Sequence, residues 1–419
     1  MKTLLATVLL ISAAAAGPMF DDPRAGVAFP SPDGWTEVPT PPVPDDAEPS
    51  DSPLTPLVRF QASRPAADGT LARLDVFFVR AASLEEAQKA FERGMQETWK
   101  GFEVSERRDL GSASSFSAKV EGGKAFGALM QDGKRFAAML LAGGADTTDA
   151  AVIAATGTWA WSRPDPDAPL RIPPGWKARE TQHYRIRYSG DDDFAAEVGR
   201  HLEAISVELR RVLPLELPGA TRRELDVRIF GNEREFEAYA ALNGVRGAEA
   251  YFSPAQRELV AHMDERAPER TFHVLYHEAT HQYLRDVLGK GVHIPIWMDE
   301  GLGEIFYPGS FGPGGRFVLK ENEGRRDQAR DAVAGGGAPG LVKMFAMSRD
   351  EFYDLEPSYG LGWSVVHFLL NDARYRGSVV GYLEALRETK DDGKARAKAW
   401  TNFTIEQLER DWKKWVVEE

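Results

Sequence analysis

The 419-residue sequence predicts an α+β fold in two parts. Three observations lead there. A proline-rich break, SRPDPDAPLRIPPG from Ser162 to Gly175, holds residues that neither a helix interior nor a central strand accepts. Upstream of it, strand-like runs surround one amphipathic helix. Downstream, strands and helices are followed by roughly ninety residues of helical periodicity. The expected organisation is a leader at 1–16, an α/β sandwich-like module at 17–162, a linker at 163–174 and a second domain at 175–419.

Taken in order, the N-terminus reads as an export signal. Lys2 supplies a positive start, Leu4 to Ala16 an apolar stretch too short to span a bilayer, and Ala14-x-Ala16 a small-residue cleavage site. No later segment is long and apolar enough to anchor the chain, so no membrane span is expected. The sequence has no cysteine, which excludes disulfides, a thiol nucleophile and thiolate metal ligands. Such a protein suits the bacterial periplasm or the exterior. A net charge of −13 argues against a nucleic-acid partner, whose phosphates attract a basic face.

Residues 40–56, rich in Pro and Asp, read as a loop. LARLDVFFVR (Leu71–Arg80) has strand composition. SLEEAQKAFERGMQETW opens with a capping box, Ser83 to Glu86, and places Leu84, Ala87, Phe91 and Met95 on one helical face. AFGALM and RFAAMLLA flank Asp132-Gly133 and read as a hairpin; Ala150 to Ala160 reads as a helix. Phe29-Pro30 through Gly34-Trp35 resembles the opening strand of PsbP-like modules. No catalytic constellation is visible in this part, which could pack, bind a partner or substrate, or mask a cleft.

The second domain opens with a strand at His183–Tyr188, a helix from about Asp193 to Val212, a central strand at Leu225–Phe230 and a short helix at Asn232–Ala241. AEAYF and ELVAHM then pair across Ser253–Gln256. The next helix has Phe272, Tyr276, Ala279, Tyr283 and Val287 at three- and four-residue intervals, Thr271 as an N-cap and Gly289 as a stop. It carries His277-Glu278-Ala279-Thr280-His281. Histidines at i and i+4 share a face, so both imidazoles can reach one ion. Glu300 follows in the run Trp297-Met298-Asp299-Glu300-Gly301-Leu302-Gly303-Glu304 and supplies an oxygen. Two His, one Glu and one water make an open Zn2+ site. The bland alternative is a surface helix with two unrelated histidines.

HEATH and WMDEGLGEIF resemble the motifs of gluzincin (thermolysin-like) metallopeptidases, in whose aminopeptidase branch His-Glu-x-x-His precedes a Trp-Leu-Asn-Glu-Gly-like run; Asp299 stands here where Asn is usual. The stretch from about Gly175 onward also resembles bacterial peptidase MA-like domains, through HYRIRYSG (His183–Gly190) and SYGLGWSVVHFLL (Ser358–Leu370). The resemblance implies a mixed sheet, a zinc helix and a C-terminal helical subdomain, with a peptide or protein as substrate. His277, His281 and Glu300 would hold Zn2+, and Glu278 would act as general base on the zinc-bound water, whose pKa falls to about 7. It further implies that the strand before the zinc helix borders the substrate, which points to Leu259, Val260 and Ala261. A downstream tyrosine or histidine would steady the oxyanion: Tyr359, with Tyr353 and His367 as competitors.

Asp299 and Glu304 are candidates to accept the outer N–H of the metal-binding imidazoles, or are solvated acids. His273, His262 and His293 read as packing or loop residues. Gly301 and Gly303 are expected to allow close approach near the metal. Gly335-Gly336-Gly337 is a loop without the Lys and Ser/Thr of a phosphate cradle. Two other functions stay open: a binding or scaffolding protein that has lost turnover, and a zinc hydrolase of another amide such as a cell-wall peptide.

Overall fold

A computed structural model describes residues 16–32, 35–38, 53–62, 71–109, 113–121, 123–143, 159–165, 168, 171–215, 225–242, 245–254, 257–264, 266–289, 291–312 and 315–418. The expected leader up to Ala15, residues 150–158 of the expected Ala150–Ala160 helix and most of the Pro/Asp-rich loop lie outside the described residues; at the end of that stretch Trp159 is not helical and Ala160 is in a strand. The chain is α+β and divides into two compact units: residues 1–176 with 238–246, and residues 177–237 with 247–419.

The first unit is a sandwich. Strands β1 (Ala16–Asp22), β2 (Val27–Pro32) and β10 (Ala160–Trp161) form one small sheet. Seven strands form the other, in the order β3 (Trp35–Val38), β4 (Leu54–Ala62), β5 (Arg73–Val79), β9 (Arg135–Ala142), β8 (Gly123–Asp132), β7 (Ala113–Val120) and β6 (Glu103–Asp109). Alternation along β9 shows how it is built. Ala137, Met139 and Leu141 join the core beneath Phe20 and Phe29 of the small sheet. Phe136, Ala138, Leu140 and Ala142 join the core beneath α1 (Leu84–Thr98), with Ala87, Phe91 and Met95. A strand buried on both faces needs the unbroken apolar run RFAAMLLA. The hairpin around Asp132-Gly133 forms, Gly133 taking φ 58°. Ser83 caps α1 by accepting the Glu86 N–H, while the Glu86 carboxylate accepts the N–H of Ala82 at 2.8 Å.

The second unit is built on a five-stranded sheet ordered β11 (Lys177–Glu180), β12 (Tyr184–Tyr188), β13 (Leu225–Phe230), β15 (Glu258–His262), β14 (Ala250–Ser253). The three inner strands are parallel, with one antiparallel strand on each edge. Helix α2 (Asp192–Val212) packs Val198, Leu202, Ile205 and Leu209 into the core shared with Ile186, Val227 and Leu259. The alternate side chains of the inner strands form a buried ion cluster: Arg187 pairs with Glu258, and Arg228 Nε reaches Glu258 Oε1 at 3.0 Å. Unpaired charges so deep would be prohibitive, so these must neutralise one another.

Helix α3 (Glu233–Leu242) precedes the β14–β15 hairpin, which feeds α4 (Pro268–Leu288) and then α5 (Ile296–Phe306). α4 begins earlier than its sequence suggests. Pro268 takes the first helical position after Ala267, and Thr271, rather than capping, accepts the Asp264 N–H at 3.1 Å. Gly289 ends it as expected. A short pair, β16 (Ser310–Phe311) and β17 (Phe317–Val318), leads to seven helices: α6 (Glu323–Ala334), α7 (Leu341–Phe345), α8 (Arg349–Tyr353), α9 (Ser358–Asn371), α10 (Ser378–Thr389), α11 (Asp392–Ala399) and α12 (Ile405–Glu418). Leu408 and Trp412 of α12 are fully buried, and Thr404 accepts the Gln407 N–H at 3.2 Å. Gly301 lets α5 meet α9: a Cβ there would lie 2.5 Å from the Gly362 carbonyl oxygen. No described helix is long and apolar enough to cross a membrane.

Candidate metal centre

α4 cannot turn about its axis, because Leu275, Ala279, Leu284 and Val287 are fully buried in the core. Its other face therefore has a fixed direction, and His277 and His281 share it, their ring centroids 4.7 Å apart. α5 brings Glu300 against them. Its Oε2 lies 3.1 Å from His277 Nε2 and 3.8 Å from His281 Nε2. Donors in a tetrahedral set with bonds of about 2.0–2.2 Å stand roughly 3.3–3.6 Å apart, so these three atoms can surround one divalent ion. His277, Glu278 and His281 also offer atoms within 4.8 Å of one another and could hold a metal. Of the two carboxylates, Glu300 puts an oxygen between the ring nitrogens, whereas Glu278 Oε2 accepts the Phe252 N–H of β14 at 2.7 Å. Glu300 thus faces both ring nitrogens, and Glu278 stands beside them on the β14 side.

The outer nitrogens are directed as well. His281 Nδ1 meets Asp299 Oδ1 at 2.7 Å, and His277 Nδ1 lies 3.4 Å from Glu304 Oε1. With the outer N–H groups given to carboxylates, loss of the second ring proton would leave both Nε2 atoms as lone-pair donors. Gly303 makes room for this: a Cβ there would stand 2.6 Å from the His277 ring. Glu304 is itself held, by Arg325 Nε at 2.8 Å and by Asn322 Nδ2 at 3.0 Å.

Electrostatically the centre favours positive charge on its rings. Burial opposes protonation of both rings, yet hydrogen bonds that His277 donates to Glu300 and Glu304 raise it well above the ordinary range, and Asp299 with Glu300 raises His281 to about 9. Burial would push Glu300 upward, but His277, His281 and Tyr353 bring it down to about 2. Glu304 is likewise lowered: burial is outweighed by His277 and Arg325. Glu278, unlike Glu300 and Glu304, moves up, because burial exceeds the pull of the neighbouring rings. Protons on the rings are the cation that a metal ion would replace.

Two tyrosines flank Glu300. The Tyr353 hydroxyl donates to Glu300 Oε1 at 2.6 Å. Tyr359 stands with its ring 6.1 Å from that of Tyr353, the Arg325 guanidinium 4.9 Å over its face, and its hydroxyl unbonded among the described residues. His367 packs between Trp363 and Trp415. His273 lies against Tyr307, His262 against Phe236, and His293 is exposed.

One sequence expectation is corrected. Leu259, Val260 and Ala261 are not on a sheet edge: β15 is hydrogen-bonded by β13 on one side and β14 on the other, and all three residues are fully buried. The hairpin folds its second strand inward, alongside β13, and leaves β14 outermost. An inner strand of a parallel sheet reads as a continuous apolar run, and Leu259–Ala261 is one. Arg325, Asn322, Arg349 and the Phe252 N–H escaped sequence reasoning, since no local spacing ties them to the histidines.

A family model described as "Protein of unknown function (DUF1570)" matches residues 272–390, a span that contains His277, Glu278, His281, Glu300 and both tyrosines but not Phe252. No curated protein matches the chain. Among solved structures the chain is similar to cyanobacterial PsbP (CyanoP) from Synechocystis sp. PCC 6803, at 14% identity and a TM-score of 0.25, over 36% of this chain and 96% of that one.

Proposed function

We propose that the chain is a gluzincin-type metallopeptidase that hydrolyses peptide bonds with zinc. The observation that carries this is the convergence of His277 Nε2, His281 Nε2 and Glu300 Oε2, with the Glu278 carboxylate alongside. These three residues would hold the ion, which when bound would polarise the scissile carbonyl and acidify the attacking water.

The chain's own residues do the rest. Glu278 takes the proton from the attacking water and passes it to the departing amine. Its tether to the Phe252 N–H fixes where that carboxylate stands. Asp299 and Glu304 hold the rings in the tautomer that keeps both Nε2 atoms available. The unbonded hydroxyl of Tyr359 is the donor for the developing oxyanion. β14, the sheet edge that meets Glu278, is the place for an extended substrate to pair. The leader-like first 16 residues fit action outside the cytoplasm.

Zinc content measured together with hydrolysis of casein and a peptide library tests this reading. We expect bound zinc and cleavage, with Glu278→Gln retaining zinc while cleavage disappears. A protein that takes up no zinc, or full activity in Glu278→Gln, overturns it. Zinc uptake with no cleavage of any peptide would favour an inert binding protein instead.

A further inference from the structure

The two oxygens of Glu300 have different partners. Oε2 faces both ring nitrogens, at 3.1 and 3.8 Å, and Oε1 accepts the Tyr353 hydroxyl at 2.6 Å. Tyr353 comes from α8, separate from the helices that carry the other candidate ligands, and its side chain is 43% exposed. Packing alone does not explain such a ring. α8 is nonetheless firmly set: a reciprocal Ser348–Glu351 capping box opens it and Phe352 is fully buried. From that base Arg349 donates to the Tyr353 hydroxyl at 3.2 Å and reaches Asp299 Oδ2 at 3.6 Å. One short helix thus grips both Glu300 and the carboxylate behind His281.

We infer that Tyr353 is a positioning residue whose hydroxyl holds Glu300 Oε1, so that the carboxylate offers a single oxygen to the metal and a coordination position stays free for water and substrate. This rests on the metallopeptidase reading above. A catalytic zinc site needs that free position, and a carboxylate that swung to give both oxygens would fill it. A phenol has one proton to donate. Tyr353 spends it on Glu300 and so cannot also serve an oxyanion, which separates it from Tyr359.

Tyr353→Phe removes the O–H and keeps the ring, so its contacts with Phe352 and Tyr359 survive. The probes are Co2+ in place of zinc, read by visible absorption, and Zn2+ affinity read by chelator competition. In Tyr353→Phe the Co2+ bands should weaken, as four-coordination gives way to higher, and Zn2+ affinity should shift by about 10-fold or more. Tyr359→Phe should leave both readouts as in the unaltered protein while lowering the hydrolysis rate. Arg349→Ala, at an exposed side chain, provides a second probe that spares the core and should move both readouts in the same direction, less far. Unchanged Co2+ bands and Zn2+ affinity in Tyr353→Phe overturn the inference while leaving the proposed function standing. Failure of the unaltered protein to bind either ion overturns both.

Discussion

The two histidines of the centre are supported in opposite ways. Behind His277 stands Glu304, 3% exposed and fastened by Arg325 and Asn322 near the start of α6. Behind His281 stands Asp299, whose further contact is Arg349 at 3.6 Å, 63% exposed. One side is a buried, closed chain of charges; the other opens to solvent through a single mobile-type side chain. The carboxylate behind His277 is thus fixed by buried partners, while the one behind His281 depends on one exposed arginine.

The comparison can be broken in several ways, beginning with the largest effect. Glu278→Gln touches neither support, so it should lower peptide hydrolysis by about 10²–10⁴-fold, the usual worth of a general base, with zinc content and melting temperature unchanged. Glu304→Ala should weaken zinc by about 10–100-fold and cost roughly 1.5–3 kcal/mol in denaturant unfolding, because the Arg325 hydrogen bonds and a buried His277 nitrogen lose their partner. Asp299→Ala should weaken zinc comparably yet cost less stability; an equal loss in both variants would erase the asymmetry. Gly303→Ala sharpens the same point. Its methyl would press the His277 ring, so zinc affinity should fall by overpacking strain of about 1–3 kcal/mol.

Acidity separates the metal-free protein from the loaded one. His281 is raised to about 9 from 6.5, and His277 is raised as well. Raised histidines contribute stability that is complete below about pH 6.5 and is lost as pH climbs through about 9. Glu300 is depressed to about 2 from 4.5, so its contribution is present above 4.5 and is lost as pH falls toward 2. Chelated protein should therefore melt highest between about pH 4.5 and 6.5 and progressively lower toward pH 9. Zinc should run the other way, its gain in melting temperature growing as protons leave the rings. Melting curves with chelator and with zinc across that range check both signs. The smallest effect belongs to Arg349→Ala, within about 0.5 kcal/mol in stability, as for other exposed sites.

Much of the centre was legible in the sequence because helical spacing is local. His277, Glu278 and His281 share a face by the period of α4, and Glu304 follows Glu300 by one turn of α5, which puts it behind His277. Glu300 could be offered as a nearby acid in the next run, but no period links two helices, so its place against the rings was not readable. What could not be read depends on tertiary placement. Strand order inside the second sheet set β14, not β15, at the edge; ELVAHM carries the apolar run of an inner strand, but AEAYF is largely apolar too, so composition alone does not say which strand of the hairpin turns inward. Asp226 and Arg228 in LDVRIF are buried in an ion cluster whose other members are distant in sequence, which the strand reading alone does not show. Arg325 lies in EGRRDQAR, where nothing local distinguishes it from an ordinary surface arginine.

The most direct measurement is the metal content of the purified chain beside that of His277→Ala and Glu300→Ala. We expect about one zinc per unaltered chain, and far less in either variant with the fold retained. An unaltered chain that carries no zinc after incubation with it, or variants that carry as much as the parent, would contradict the account.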